Sequence, residues 1–392
     1  MSYLSKIKLF KLFLFYRTNK KLRNNKEYQI PNNITKIKIN GIGNNKTNDL
    51  KKKILKYKID VFVYNYYNIK EIKMLNKLKN VKTIFYNHSC FFFWFYFQKL
   101  IFIKYLYNAY KNSKYIISLI PFENDYLFKK WGIKSILMNN FITYENINPS
   151  NLSSKIIIMI GRGYDKLKRF NLGIEAMKYI VKEVPDSQMK IISEFFGLKE
   201  LINLVDKLHL SKNIKFEGFS LNPEIYYKNA SLHIFPSIIE SFPLVLAEAK
   251  IFGIPTILTG IDYVSIINGG TIIIYDDKPE TIAKESIKIL TNEKYRKQLG
   301  NNARNSMIQF KNEITLRKWV KLILVIYKGE KYYEKLRKTY KKISKYTAIK
   351  YINNQINLIK LRFHIKKDIS IKNIFNFNFI NQFSTFNKSI YL

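Results

Sequence analysis

Short apolar runs and amphipathic segments alternate along the first part of the chain. Apolar runs predict strands at residues 34–39, 60–64, 81–86, 115–119 and 135–139. Apolar positions at helical spacing predict helices at residues 49–57, 70–78 and 122–131, with a further aromatic helical region that ends near residue 112. Most of the strands lack a polar face. This is typical of a parallel sheet covered by helices on both sides, so the pattern predicts an α/β unit.

A polar segment at residues 146–154 interrupts this alternation, and the pattern then begins again. The second series of strands is predicted at residues 155–160, 189–192, 214–216, 232–235, 256–258 and 271–275. Its helices are predicted at residues 172–182, 198–208, 223–228, 244–252, 279–290, 293–310 and 315–327. The chain is therefore expected to contain two α/β units in series, joined by the polar linker.

These patterns divide the chain into three parts. We expect a first domain at residues 1–147 and a second at residues 148–328, followed by a basic tail at residues 329–392 with a helix and a low-complexity stretch. Folds of this class bind ligands where parallel strands end, and a cleft between two such domains is a natural site.

The formal net charge is +40, from 68 Lys and Arg against 28 Asp and Glu. One interpretation is compositional drift, because Lys, Asn, Ile, Tyr and Phe are abundant together and share AT-rich codons. The other is attraction to an anionic membrane surface. Nucleic acid is disfavoured as a partner, because the lysines are spread along the chain and no RNA-recognition motif or zinc finger is present.

Residues that usually bind metals are scarce. Cys90 is the single cysteine, which excludes a disulfide framework, and the four histidines are widely spaced. There is no Asp-x-Asp motif, and the adjacent pair Asp276 and Asp277 is expected to lie in a loop. The sequence therefore predicts no metal site.

Two apolar segments bear on membrane contact. The longest apolar run, residues 90–97, is far shorter than the ~20 residues that span a bilayer. Residues 9–16 contain Lys11 and are a poor signal peptide; we expect a helix there, either on a membrane surface or packed on its own domain. We therefore expect the protein in the cytoplasm, with peripheral membrane binding as a further hypothesis.

The densest group of candidate functional residues lies at residues 236–249. Glu240 follows a buried strand and is expected at the carboxyl edge of the sheet, with Ser241 capping the next helix and Pro243 in its first turn. The first backbone N–H groups of that helix would face an anion. Glu248 lies one turn further on, where it can accept hydrogen bonds from hydroxyl groups. The group suits a ligand with a phosphate and several hydroxyls.

Residues 236–255 read P-S-x-x-E-S-F-x-L-x-x-x-E-A-x-x-x-G-x-P. This string resembles the motif of the GT-B glycosyltransferases of family 4, which belong to the retaining group. Ile160-Gly161-Arg162, followed by Lys168-Arg169-Phe170, is similar to a second stretch of that family. The resemblance covers residues 135–325 well and about 55–135 loosely. It implies the GT-B fold, with two Rossmann-like domains facing across a cleft.

The resemblance implies transfer of a sugar from a UDP- or GDP-linked donor to a hydroxyl of a glycan or lipid-linked glycan. Anomeric configuration would be retained, and no metal or other cofactor would be needed. Arg162 and Lys168 would hold the donor diphosphate, with Glu240 near the sugar hydroxyls and Glu248 near the ribose. Physical chemistry supports the first assignment, because two cations at a strand end can neutralise the charge that grows on a leaving diphosphate.

The resemblance also gives candidate site residues. The expected catalytic residues are His88, Arg162, Lys168 and Glu240. The expected donor-binding residues are Gly161, Arg162, Lys168, Ser237, Glu240, Ser241, Phe242, Leu244, Val245 and Glu248. His88 would face the donor sugar, its other interpretation being a hydrogen-bond donor in a loop, and Ser237 could equally be a strand-end cap. The aromatic residues 91–110 either bind a lipid-linked acceptor or pack in the core.

Departures from the family pattern leave an alternative open. Only about 59 residues precede the strand at 60–64, and Gly41-Ile42-Gly43 is a weak substitute for the family's glycine-rich loop. The usual glycine-rich turn is altered at residues 193–197. The first domain is therefore expected to be shortened. The alternative is a catalytically inactive relative that binds a nucleotide sugar or a membrane partner.

Overall fold

The computed structural model describes residues 11–16, 31–41, 43–65, 69–88, 100–144, 147–162, 166–194, 198–261 and 264–328. The predicted tail at residues 329–392, the aromatic residues 91–99 and part of the altered turn, residues 195–197, lie outside the described residues. The chain forms two compact units. Residues 139–314 make one of them, and the described residues before and after this range make the other.

The described residues of the first unit form two parallel sheets. One pairs β1 (Leu12–Tyr16) with β2 (Ile34–Lys38). The other has its strands in chain order: β3 (Val61–Tyr64), β4 (Lys82–Tyr86), β5 (Tyr115–Ser118) and β6 (Ile136–Leu137). The helices of this part are α1 (Gly43–Lys56), α2 (Ile69–Asn76), α3 (Leu100–Lys111) and α4 (Pro121–Trp131). The predicted alternation and parallel pairing are confirmed.

The predicted helix at residues 9–16 is wrong. The described part of that segment is strand β1, which pairs in parallel with β2. Phe13 packs against Tyr57 and Phe15 packs edge-on against Phe62. A short apolar run fits both helix and strand patterns, and here aromatic side chains with a neighbouring strand favour the strand.

The second unit is built on a six-stranded parallel sheet in the order β12-β11-β10-β7-β8-β9. Its strands are β7 (Ile156–Ile160), β8 (Gln188–Ile192), β9 (Ile214–Phe216), β10 (Leu232–Phe235), β11 (Thr256–Thr259) and β12 (Thr271–Ile274). Its helices are α5 (Phe170–Glu183), α6 (Lys199–Lys207), α7 (Glu224–Asn229), α8 (Leu244–Ile251), α9 (Pro279–Thr291) and α10 (Glu293–Met307), and α11 (Asn312–Lys328) starts here. The order confirms the α/β class.

Helix α5 packs closely on the middle of this sheet. Ile157 and Met159 of β7 are fully buried, as is Ile234 of β10. A Cβ at Gly173 of α5 would lie 2.4 Å from Sδ of Met159, so glycine allows the helix to approach the strand. Burial of this apolar face fixes the start of α5, and with it the turn that precedes the helix.

Candidate functional site

Two loops meet at the carboxyl edge of the second unit's sheet. One is the turn of 3₁₀-helix Lys166–Lys168, which precedes α5, and the other follows β10. The backbone N–H of Ile238 donates to the carbonyl of Leu167 at 2.9 Å. Since β7 and β10 are neighbouring parallel strands, their carboxyl ends lie at the same edge, and this hydrogen bond joins the two loops.

Lys168 and Glu240 form an ion pair across these loops. Lys168 Nζ contacts Glu240 Oε1, and the side chains are 17% and 13% exposed. The ammonium lies 5.7 Å from the ring centroid of Phe235. A Cβ at Gly161 would lie 3.9 Å from Cδ of Lys168. The structure thus brings together three of the predicted site residues: Gly161, Lys168 and Glu240.

Helix α8 begins beside this loop. Its N-cap is Pro243, without a side-chain cap, so the predictions that Ser241 caps the helix and that Pro243 lies in the first turn are wrong. Pro243 has the extended backbone of an N-cap, so the helix starts at Leu244. The first-turn N–H groups of any α-helix lack intrahelical acceptors and carry partial positive charge. Leu244 is exposed and Val245 half-buried here.

Ser237 and Phe242 are the buried members of the loop. Ser237 is 1% exposed, and its Oγ has no hydrogen-bond partner among the described residues. Phe242 is buried, with its ring centroid 6.1 Å from that of Phe310. Ser241 is half-buried. An unsatisfied buried hydroxyl costs free energy, so Ser237 is suited to a polar ligand atom.

Glu248 has partners of its own. Its Oε2 accepts a hydrogen bond from the hydroxyl of Tyr227 at 2.8 Å, and Thr143 donates a second one. Burial raises the pKa of Glu248, and these hydrogen bonds act in the opposite direction. The Glu248 charge in turn adds to the burial that raises the pKa of Tyr144 to about 12. The two motif glutamates therefore differ, because Glu240 pairs with a cation and Glu248 with hydroxyl groups.

The remaining predicted catalytic residues are Arg162 and His88. Arg162 is exposed and follows Gly161, just beyond the end of β7. His88 lies in the first unit, beyond the end of β4, with its ring centroid 3.9 Å from that of Tyr86. Burial lowers the pKa of His88, which favours the neutral imidazole. The assignment of His88 to the donor sugar stays a prediction.

Sequence reasoning missed the role of Arg169. Its Nε donates to the carbonyl of Pro236 at 2.8 Å, and one terminal nitrogen donates to Oγ1 of Thr259. The other terminal nitrogen pairs with Oδ2 of Asp277 at 2.8 Å. Asp277 lies in a loop, as predicted, and Asp276 accepts from the backbone N–H of Lys278. The sequence signal that could have pointed to Arg169 was its position directly after Lys168 in the second motif.

The described part of the chain lacks two kinds of feature. It holds no group of three or more His, Cys, Asp or Glu side chains arranged to bind a metal ion. No helix within it has both the length and the apolar character needed to cross a membrane.

Comparison with solved structures identifies the fold. Sucrose-phosphate synthase from Thermosynechococcus elongatus superimposes with a TM-score of 0.68 at 16% identity, over 81% of this chain and 89% of that chain. HepE from Anabaena, in complex with UDP and glucose, gives a TM-score of 0.61 at 14% identity, over 74% and 85%. The chain has the GT-B fold. The fold predicted from the sequence is thereby confirmed.

Sequence comparison matches part of the chain to a known family, and the candidate site residues from Gly161 to Glu248 lie within the matched part. Residues 140–306 match the family described as Glycosyl transferases group 1. N-acetyl-alpha-D-glucosaminyl L-malate synthase from Bacillus anthracis is 30% identical over 165 residues, which are 41% of this chain. The match spans 43% of the length of that relative, less than half of it. The matched part of the chain is therefore similar in sequence to glycosyl transferases of group 1.

Proposed function

We propose that the protein is a retaining, metal-independent glycosyltransferase of family 4. It would move a sugar from a UDP- or GDP-linked donor to a hydroxyl of a glycan or lipid-linked glycan. The observation that carries the proposal is the contact of Lys168 with Glu240 at the carboxyl edge of the sheet, beside the start of α8. A cation and a carboxylate meet there, and the loop that carries Glu240 leads into the N-terminus of α8, which suits a ligand with a diphosphate and hydroxyl groups.

Each group has a distinct task in this proposal. The acceptor oxygen bonds to the anomeric carbon while the bond from that carbon to the diphosphate oxygen breaks on the same face, and the proton of the acceptor hydroxyl passes to the departing diphosphate oxygen. Negative charge then grows on the diphosphate, and Lys168, Arg162 and the N-terminus of α8 stabilise it. Glu240 would accept hydrogen bonds from sugar hydroxyls, and Glu248 from the ribose. The fixed positive charges supply the stabilisation for which other transferases use a metal ion.

The comparisons favour a nucleotide-sugar donor. The structure of HepE contains UDP and glucose, and it shares the GT-B fold. The orphaned hydroxyl of Ser237 adds a buried polar group that a donor atom would satisfy. We therefore choose UDP and GDP as the first binding probes, and UDP-glucose, UDP-N-acetylglucosamine and GDP-mannose as the first donors.

The experiment measures nucleotide binding by calorimetry and donor hydrolysis with and without EDTA. We expect binding of one nucleotide, and hydrolysis that EDTA does not change. NMR of the released sugar, or of the glycoside when an acceptor is supplied, should show the anomeric configuration of the donor. Arg162→Ala and Lys168→Ala should each lower kcat/KM by ~10²-fold or more. Lys155→Ala is the matched control, since Lys155 pairs with Asp186 next to the amino end of β7.

Other results would contradict parts of the proposal. Wild-type kcat/KM in both variants would remove the assigned roles of Arg162 and Lys168. Loss of activity with EDTA, restored by a divalent cation, would contradict metal independence, and an inverted product would contradict retention. Nucleotide binding without hydrolysis or transfer, across the donors and acceptors tried, would favour the inactive alternative.

Binding to an anionic membrane surface is a separate part of the proposal. It rests on the formal net charge of +40. We expect the protein to sediment with vesicles of phosphatidylglycerol and phosphatidylcholine at low salt, and to be released as salt rises. Equal sedimentation with phosphatidylcholine alone would show that the charge is not responsible. Nucleic acid is not part of the proposal.

A further inference from the structure

Arg169 connects the ends of three neighbouring strands. Its guanidinium bonds to the carbonyl of Pro236, which follows β10, and to Thr259, the last residue of β11. It also pairs with Asp277, in the loop after β12. β10, β11 and β12 lie side by side in the sheet. One side chain therefore ties the ends of three strands together at the edge where the candidate site lies.

The backbone at both ends of the ion pair is unusual. Arg169 has φ +48° and Asp277 has φ +54°, in the left-handed region that side chains other than glycine rarely adopt. Arg169 is the N-cap of α5 but makes no side-chain cap. Its side chain is thus engaged at the strand ends and not at the helix, and those contacts hold two unfavourable backbone conformations in place.

The contacts of Arg169 lie next to the candidate site on both loops. Lys168 directly precedes Arg169, and Glu240 lies in the loop that begins at Pro236. The hydrogen bond from Ile238 to Leu167 lies between these contacts. The Arg169 and Asp277 side chains are 15% and 28% exposed, so solvent screens their attraction only in part. Movement of Arg169 would therefore shift the Lys168 ammonium relative to Glu240.

We propose that Arg169 is a positioning residue, which sets the placement of Lys168 against Glu240 by tying the ends of β10, β11 and β12. Each of its three nitrogens already has a partner within the protein, so we assign to Arg169 an action through Lys168. Its effect on turnover rests on the proposed function, but its effect on Lys168 does not.

Glycine substitution gives a sharp test, because it removes the side chain and leaves a backbone that adopts φ > 0 without strain. The variants are Arg169→Gly, Asp277→Gly and Arg169→Lys, each checked by thermal melting. The first readout is the rate at which acetic anhydride labels the amine of Lys168, measured by peptide mass spectrometry. Lys155, which is ion-paired with Asp186 beside the amino end of β7, is the internal control.

We expect Lys168 to be labelled about fivefold faster in Arg169→Gly than in the wild type, because a loosened ion pair exposes the amine. Asp277→Gly should raise the labelling rate of Lys168 less than Arg169→Gly does, and Arg169→Lys should give a rate between those of the wild type and Arg169→Gly. The labelling rate of Lys155 should not change in any variant. Unchanged labelling of Lys168 in a folded Arg169→Gly variant overturns the proposal, whatever the nucleotide experiments show. Should Arg169→Gly fail to fold, Asp277→Gly decides in the same way.

The second readout concerns the proposed transferase. Arg169→Gly should lower kcat for donor hydrolysis about tenfold or more while the Kd of the nucleotide changes less, because Lys168 acts mainly on developing charge. A variant with a lower melting temperature but wild-type kcat would show a merely structural role and overturn the positioning role. If no donor is hydrolysed by the wild type, the proposed function fails and the labelling result still decides the role of Arg169.

Discussion

Lys168 Nζ contacts Glu240 Oε1, joining the turn before α5 to the loop after β10. Both side chains are more than four-fifths buried, so water screens the pair weakly. The contact makes the cation of one sequence motif the partner of the carboxylate of the other. The two motifs therefore contribute side chains to one site.

The first prediction concerns the strength of this pair. In a double-mutant cycle of Lys168→Met and Glu240→Gln, we expect a coupling of about 1–2 kcal/mol in the unfolding free energy of the second unit. The Lys155–Asp186 pair, with side chains 42% and 66% exposed, is the matched control and should couple by less than about 0.5 kcal/mol. Hydrogen exchange of peptides from residues 139–314 gives both values. Equal coupling in the two pairs would contradict the prediction.

The second prediction concerns Glu248 and Tyr227. Tyr227→Phe removes a hydrogen bond to a buried carboxyl and should destabilise the second unit by about 1–3 kcal/mol. The pKa of Glu248 is raised in the folded protein. The folded state therefore keeps its proton over a pH range above 4.5 in which the unfolded chain has lost it, so this group's contribution to stability falls as pH rises.

Glu248→Gln isolates that contribution, because glutamine does not titrate. The difference in unfolding free energy, wild type minus variant, should shrink as pH rises above 4.5. Hydrogen exchange of peptides around α8 at several pH values checks this. A difference that grows with pH would mean that the folded protein favours the carboxylate.

Much of this architecture could be predicted because buried strands give short apolar runs. The strand predicted at residues 81–86 is β4 (Lys82–Tyr86), and the one predicted at 232–235 is β10 (Leu232–Phe235). Helix α1 starts at Gly43, six residues before its predicted start at 49. The pattern missed this start because the first turn is polar and shows no apolar periodicity. Residues 9–16 were ambiguous for the opposite reason, since they are apolar but too short to show a period.

The site could be predicted in part. The motifs located Lys168 and Glu240, but not the contact between them. The partners of Glu248 could not be found from the local pattern, because Tyr227 and Thr143 are distant in the chain and meet it only in the folded second unit. The contacts of Arg169 could not be predicted for the same reason, because they come from the ends of different strands.

The third prediction concerns Gly270, which precedes β12 against helix α10. It has φ +64°, and a Cβ there would lie 2.4 Å from the carbonyl oxygen of Leu299 and 2.5 Å from Cβ of Ala303. Gly260 has a similar φ, +61°, with no described atom within 4 Å of such a Cβ. Alanine at either position should cost about 1–2 kcal/mol for the left-handed backbone.

Gly270→Ala should cost about 1–3 kcal/mol more than Gly260→Ala, because α10 must move to admit the methyl group. Hydrogen exchange of peptides from the second unit measures both variants. Similar costs at the two positions would show that α10 yields without strain, against the prediction.

The fourth prediction concerns Glu123, a fully buried residue of α4 in the first unit. Its Oε1 accepts a hydrogen bond from the hydroxyl of Tyr110, which in turn accepts one from Asn87 at 3.0 Å. Burial raises the pKa of Glu123 to about 7, against the opposing effect of hydrogen bonds from Tyr110, Leu119 and Asn87. Between pH 4.5 and about 7 the unfolded chain loses this proton and the folded chain keeps it. Stability contributed by Glu123 therefore falls as pH rises through this window.

Glu123→Gln removes the titration with little change in size. The unfolding free energy of the wild type minus that of the variant should fall by up to about 3 kcal/mol from pH 4.5 to 7, at about 1.36 kcal/mol per pKa unit, and then stay level. Trp131 and Trp319, the tryptophans among the described residues, belong to the first unit, so tryptophan fluorescence during urea unfolding follows this unit. A difference that is constant across these pH values would mean that the buried carboxyl is ionised throughout, with its charge balanced by the hydrogen bonds around it.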